Sequence, residues 1–212
     1  SEFVHLKYTK YLFPKLRTKL LNIYAFKKNL NWSEFYNDVK FEDSIKIKKK
    51  SNTIFIFGSG WSINEITRKN WSQMSEHNTL SFNWFIYQSF INIDFHLIRG
   101  TFYHVKKWDD ALKVNQLYSD IITSNKFYSD TNFFIQEGKT ALAGNMLLGE
   151  KMLPRKYNIS RFKTKSRVIY DNPSEDFYDG LVHGASTLID SINLAILSGW
   201  KKIVLVGVDL YD

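Results

Sequence analysis

Apolar positions along the chain follow two different periods, and the period changes near residue 51. Over residues 6–26 they recur at helical spacing (Leu6, Tyr8, Tyr11, Leu12, Leu16, Leu20, Leu21, Tyr24), with lysines filling much of the remainder. That is the pattern of an amphipathic helix. Pro14 is expected to kink or split it, because proline lacks the backbone donor. A second short helix is predicted over residues 32–39, with Asn31 or Ser33 as its cap. A charged connector, residues 46–50, then leads to Ser51-Asn52, where a domain boundary is expected.

Beyond the boundary, short β-prone runs replace the helical period. Thr53–Phe57 (TIFIF) is continuously apolar, as in a strand buried on both faces. A helix is predicted over 63–74, and strands over 79–82, 95–98 and 121–123. A further helix is predicted over 142–152. Residues 154–182 are polar, aromatic and irregular, which suggests a loop or lid over an active site. The clearest unit closes the chain: a helix over 187–198 with Leu188, Ile189, Ile192, Ala195 and Ile196 on its stripe, a terminating Gly199, and a strand over 203–206. Strand–helix alternation predicts an α/β fold, a mostly parallel Rossmann-like sheet with helices on both faces. The expected organisation is a helical basic appendage over residues 1–50 and one sheet domain over 51–212.

Charge sharpens this division. The net charge is +8, yet residues 1–50 hold 12 Lys/Arg against 5 Asp/Glu, while residues 51–212 hold 17 against 16. The basicity belongs to the leader, which argues against a nucleic-acid partner, since that would need a basic face on the folded domain. A basic leader with interleaved aromatics suits an anionic membrane surface; a solvated helical appendage is the alternative. No apolar run approaches the roughly 18 residues of a membrane span. Cysteine is absent, which excludes disulfides, thiolate metal sites and a cysteine nucleophile. No His/carboxylate cluster has metal-ligand spacing, so no metal is expected.

The candidate chemistry gathers where strands end. Gly58-Ser59-Gly60-Trp61-Ser62 follows the first buried strand at once. Glycines there allow a tight turn and close approach to a phosphate, and Ser62 adds a hydroxyl or caps the next helix. Asn83, Arg99 and Asn125 each follow a predicted strand, on the edge where open parallel sheets bind ligands. His183-Gly184-Ala185-Ser186-Thr187 opens the last helix, with free N–H groups and two hydroxyls for an anion. His183 is the candidate general base. His96, inside a strand, reads as core.

The stretches TIFIFGSGWSINEI, LSFNWF and HGASTLIDSINLAILSGWKKIVLVGVDLYD, taken in order, resemble the family-42 bacterial sialyltransferases. The last stretch is the most specific, and a wider group shares it, including flagellin-glycosylation factors, archaeal pterin diphosphokinases and some Kdo transferases. The resemblance implies a GT-A-variant fold and a metal-independent, inverting transfer of sialic acid or Kdo from a CMP-activated donor. The acceptor would be a bacterial surface glycan or lipid-linked oligosaccharide, as in lipopolysaccharide or capsule biosynthesis. A phosphate-transferring relative and a non-catalytic binding domain are the alternatives. It further implies that Gly58, Ser59, Gly60, Ser62, Asn83, Asn125, Gly184, Ser186, Thr187, Gly207 and Asp209 surround the nucleotide-sugar, with no cofactor. The implied location is cytoplasmic, with peripheral contact at the inner membrane; homo-oligomerisation is a further expectation. Trp61 stands where the family has proline, and the family's base histidine lies beyond the matched stretch. His183, with Tyr170, Tyr178 and Tyr211, is the local substitute.

Overall fold

In a computed structural model, the described residues are 14–99, 108–139, 141–168 and 171–209. They form six α-helices and nine strands. The helices are α1 (Pro14–Lys28), α2 (Phe41–Lys48), α3 (Arg68–Ser75), α4 (Trp108–Ser124), α5 (Leu142–Gly149) and α6 (Thr187–Leu197). The strands are β1 (Asn37–Asp38), β2 (Thr53–Phe57), β3 (Asn78–Phe82), β4 (Phe95–Ile98), β5 (Asn132–Gln136), β6 (Asn158–Phe162), β7 (Thr164–Ser166), β8 (Leu181–Val182) and β9 (Lys202–Val206).

Seven strands form one sheet in the order β1-β6-β5-β4-β3-β2-β9, and every neighbouring pair is parallel. The architecture is α/β and compatible with a Rossmann-like fold. A parallel sheet has to be covered on both faces, and alternate residues of each strand show how. Ile54, Ile56, Leu80, Phe95, Leu97 and Phe134 pack with α2 and α6. Phe57, Ile98, Phe133, Ile135 and Ile159 pack on the other face with α3, α4 and α5. The chain runs from β2 through β6 in one direction, then returns to lay β9 on the far side of β2. The carboxyl ends of β2 and β9 therefore flank the point where the winding reverses, the place where sheets of this kind leave a crevice.

Several expectations change. The predicted helix over 63–74 is two elements: a 3-10 turn, Trp61–Glu65, and then α3, whose cap Thr67 accepts a bond from Asn70 N–H at 3.3 Å. The helix dipole thus begins at Arg68 and not at the glycine turn. The strand predicted over 121–123 is the last turn of α4, where a 17-residue helix overrides the β preference of Ile121-Ile122-Thr123. The strand actually lies later, at Asn132–Gln136, fully buried. Residues 154–182 are not simply a lid: Asn158–Phe162 is a strand between β1 and β5.

The leader also differs from a separate appendage in its described part. The helix predicted over 32–39 is a 3-10 turn, Trp32–Glu34, followed by β1, which pairs with β6 and extends the sheet. Phe41 and Ile45 of α2 enter the core beside Ile54 and Ile56. Helix α1 lies on α5, with Ala25 packed against Ala111, Leu142 and Met146. Hydrophobic burial, not composition, sets the boundary.

The closing unit is as predicted in outline. α6 ends at Gly199, φ +71°, whose N–H reaches Ile196 C=O at 3.0 Å while Trp200 N–H reaches Ala195 C=O at 3.4 Å. These two bonds are a Schellman motif, which favours glycine in the left-handed position. The buried face, however, is rotated from the predicted stripe. Thr187, Asp190, Ser191, Leu194 and Ala195 face inward, and Ile189 and Ile196 are exposed.

Candidate functional site

The register of the sheet puts Gly58, Asn83, Arg99 and Gly207 just past the carboxyl ends of β2, β3, β4 and β9. Neighbouring strands lie about 4.8 Å apart, so Gly58 and Arg99, two strands apart, are on the order of 10 Å from each other. α6 packs over β2 and β3, so its first turn belongs to the same edge.

Beside the winding reversal, the loops after β2 and β9 bind each other. Gly58 N–H donates to Val206 C=O at 2.8 Å, and Gly60 N–H to Gly207 C=O at 2.7 Å. Ser62 N–H donates to Asp209 Oδ2 at 3.0 Å, and the Ser62 hydroxyl bonds Asp209 Oδ1. The glycines are required by this closeness. A Cβ on Gly58 would stand 2.5 Å from the Gly207 carbonyl oxygen, and one on Gly60 2.5 Å from the Asp209 carboxylate. Gly207 has φ +63°, and Ile63 occupies the space a side chain would need. Ser62 and Asp209 thus satisfy each other, while Ser59 is exposed on the turn.

Asn83 has φ +51°, a left-handed conformation that asparagine tolerates better than most residues. Its carbonyl accepts a bond from the Tyr118 hydroxyl at 3.0 Å. That hydroxyl also meets His96 Nε2 at 2.6 Å, and His96 Nδ1 meets Ser81 Oγ at 2.7 Å. Burial lowers the His96 pKa to about 3, so this chain beneath Asn83 is neutral. Trp61, Trp84 and Tyr87 are exposed, and the rings of Trp84 and Tyr87 stack at 5.9 Å.

His183 lies in the loop between β8 and α6. Its N–H donates to Ser166 C=O at 2.8 Å, and Gly184 follows in a left-handed turn at φ +53°. Its Nδ1 is 2.5 Å from Asp190 Oδ2, and Arg99 Nη1 reaches Asp190 Oδ1 at 3.0 Å. Arg99 also donates to Thr164 Oγ1 at 2.9 Å, to which Gln136 donates at 3.1 Å. The Asp190 side chain is 0% exposed, that of Arg99 2% and that of His183 16%. Burial pushes the Asp190 carboxyl above the usual range, while the bonds from His183 and Arg99 pull it down. Nδ1 is engaged by the carboxylate, so Nε2 is the ring nitrogen that does not face Asp190. Ser186, exposed, is the N-cap residue of α6 without a side-chain capping bond, and Thr187 is buried in its first turn.

Asn125 does not join this edge. It follows α4, caps the 3-10 turn Lys126–Tyr128 that precedes β5, and donates to the carbonyls of Ile86 and Gln88 at 2.9 and 2.7 Å. Its misplacement follows from taking the end of α4 for a strand. Tyr178 is engaged with Glu42 of α2 at 2.8 Å. Tyr170 and Tyr211 lie outside the described residues. Asp190, Thr164 and Gln136 had no place in the sequence reading. The signal for Asp190 was available: an aspartate four residues before Leu194 on an alternative i, i+4 stripe of a strongly apolar helix.

Among the described residues, no group of three or more His, Cys, Asp or Glu could hold a metal ion, and no helix is long and apolar enough to cross a membrane. No family model matches the chain, and neither does any curated protein or solved structure. What fold and site define together is an α/β protein with a histidine–aspartate–arginine chain at the carboxyl edge of a parallel sheet.

Proposed function

We propose that the protein is a glycosyltransferase of GT-A-variant type that moves an acidic 2-keto sugar, sialic acid or Kdo, from its CMP-activated donor to a glycan or lipid-linked acceptor. The observation that carries this reading is the Arg99–Asp190–His183 chain at the sheet's carboxyl edge. Asp190 orients the imidazole and stabilises the imidazolium that forms on proton uptake, and Arg99 offsets the buried carboxylate charge. His183 Nε2 takes the proton of the acceptor hydroxyl. The acceptor oxygen bonds to C2 of the sugar on the face opposite the departing phosphate oxygen, and CMP leaves with inversion. The free N–H groups of the first turn of α6, with Ser186, meet the charge that develops on the phosphate or the sugar carboxylate. The exposed rings of Trp61, Trp84 and Tyr87 offer stacking faces to a base or sugar ring.

Thermal-shift measurements with CMP, CDP, UDP, GDP and ATP test the reading. Stabilisation confined to CMP and CDP is the expected result. A preference for ATP would point to a phosphate-transferring relative such as a pterin diphosphokinase. No shift with any of the five would leave a non-catalytic binding domain.

A further inference from the structure

We infer that the outward face of α1 is a docking surface for an anionic lipid bilayer. Two stripes run along this helix. Leu21 and Ala25 are buried, and the contacts of its end continue in Asn29, which donates to Asn145 of α5 at 2.9 Å, and in the 2.7 Å ion pair of Lys28 with Glu150. These contacts fix which face looks out. On the opposite side Leu16, Leu20 and Ile23, spaced i, i+4 and i+7, are 45%, 37% and 37% exposed. Three aliphatic side chains in one row on the outside of a helix need a reason, because a solvated face is polar.

Charge selects the occupant. The helix sequence, PKLRTKLLNIYAFKK, contains five Lys/Arg and no Asp/Glu. Lys19 and Lys27 are exposed and lie within a turn of the apolar row. An aliphatic row whose charged neighbours are all cations matches the boundary between acyl chains and anionic headgroups, where the row is buried and the ammonium groups stay among phosphates. A second copy of the same helix would bring cations against cations, with no acidic residue on α1 to answer them. The helix would therefore lie in the plane of the bilayer surface, not across it, and its other face would keep the sheet domain attached through α5.

The inference is independent of the reaction proposed above, and its test requires no substrate. The intact chain is sedimented with vesicles of phosphatidylcholine alone or with about one third phosphatidylglycerol. Binding to the anionic vesicles only, weakened by added salt, is expected. The double substitution Leu20→Gln/Ile23→Gln should reduce the partition coefficient at least ~10-fold, as should Lys19→Glu/Lys27→Glu. Leu117→Gln, at an exposed position of α4, should leave it unchanged, and circular dichroism of each variant reports the fold. Equal binding to neutral vesicles, or wild-type binding by both double variants, would overturn the inference. So would self-association in sedimentation velocity that Leu20→Gln/Ile23→Gln abolishes, which would assign the face to a second copy.

Discussion

At one end of the candidate edge, the loops after β2 and β9 hold each other through backbone bonds and a serine–aspartate pair. Two strands away, Arg99, Asp190 and His183 form a charged chain that ends in an imidazole with one nitrogen uncommitted to Asp190. In the first region the polar groups point at one another, and the glycines are there because two backbones meet. In the second a carboxylate is kept inside the protein at a desolvation cost, and only its partner reaches the surface. A glycine-rich turn is therefore weak evidence for a phosphate site. A buried charge whose bonding leads outward is better evidence for chemistry.

The comparison predicts opposite phenotypes. The largest effect is expected at the charged end. His183→Gln keeps a donor for Asp190, so the melting temperature should barely move, while CMP release from a CMP-activated sugar should fall roughly 10²–10⁴-fold. Normal turnover would reduce His183 to a tether for its loop. At the other end Gly58→Val drives a side chain against the Gly207 carbonyl, and urea denaturation should show a loss of about 1–3 kcal/mol whether or not nucleotide is present. Unchanged stability would mean that the two loops part easily, and it would reopen the turn as a ligand site. The smallest effect is expected between them. Asn83→Gly relieves a positive φ, so the unliganded protein should stay within about 1 kcal/mol of the parent. The stabilisation by CMP expected under the proposed function should fall if the amide contacts the ligand, and an unaltered shift would assign Asn83 to the turn alone.

What could be read from the sequence follows the same division. β2, β9 and the Gly199 stop were visible because near-continuous apolar runs and a left-handed glycine are local signals, and β3 and β4 followed as short β-prone segments. β6 was not, because Asn158, Ser160 and Arg161 break its apolar run: Ser160 bonds the Val39 carbonyl at 2.7 Å and Arg161 lies over the Trp32 ring at 4.5 Å. Those partners are more than a hundred residues away and leave no local trace. The predicted face of α6 was wrong for a related reason. Asp190, Ser191 and Asn193 look like surface residues until Arg99, the Thr187 carbonyl and the Ser174 and Val182 amides are placed against them. The strand ends were correctly brought to one edge, apart from Asn125. The group that orients His183 was missed, since only the tertiary structure makes that aspartate a partner.

The β2–β9 junction also sets an order of assembly. Strands β2 to β6 each pair with the next strand in sequence, so they can join as the chain lengthens, but Ser62 and Asp209 are 147 residues apart. At ordinary rates of synthesis, roughly 5–20 residues per second, that interval lasts about 7–30 s. Throughout it, one edge of Thr53–Phe57 waits with open backbone groups and apolar neighbours, the kind of edge that recruits other strands. The ribosome-bound chain is therefore most exposed to aggregation, and most in need of a chaperone, just before β9 emerges. This junction at the winding reversal is the last part of the sheet edge to exist.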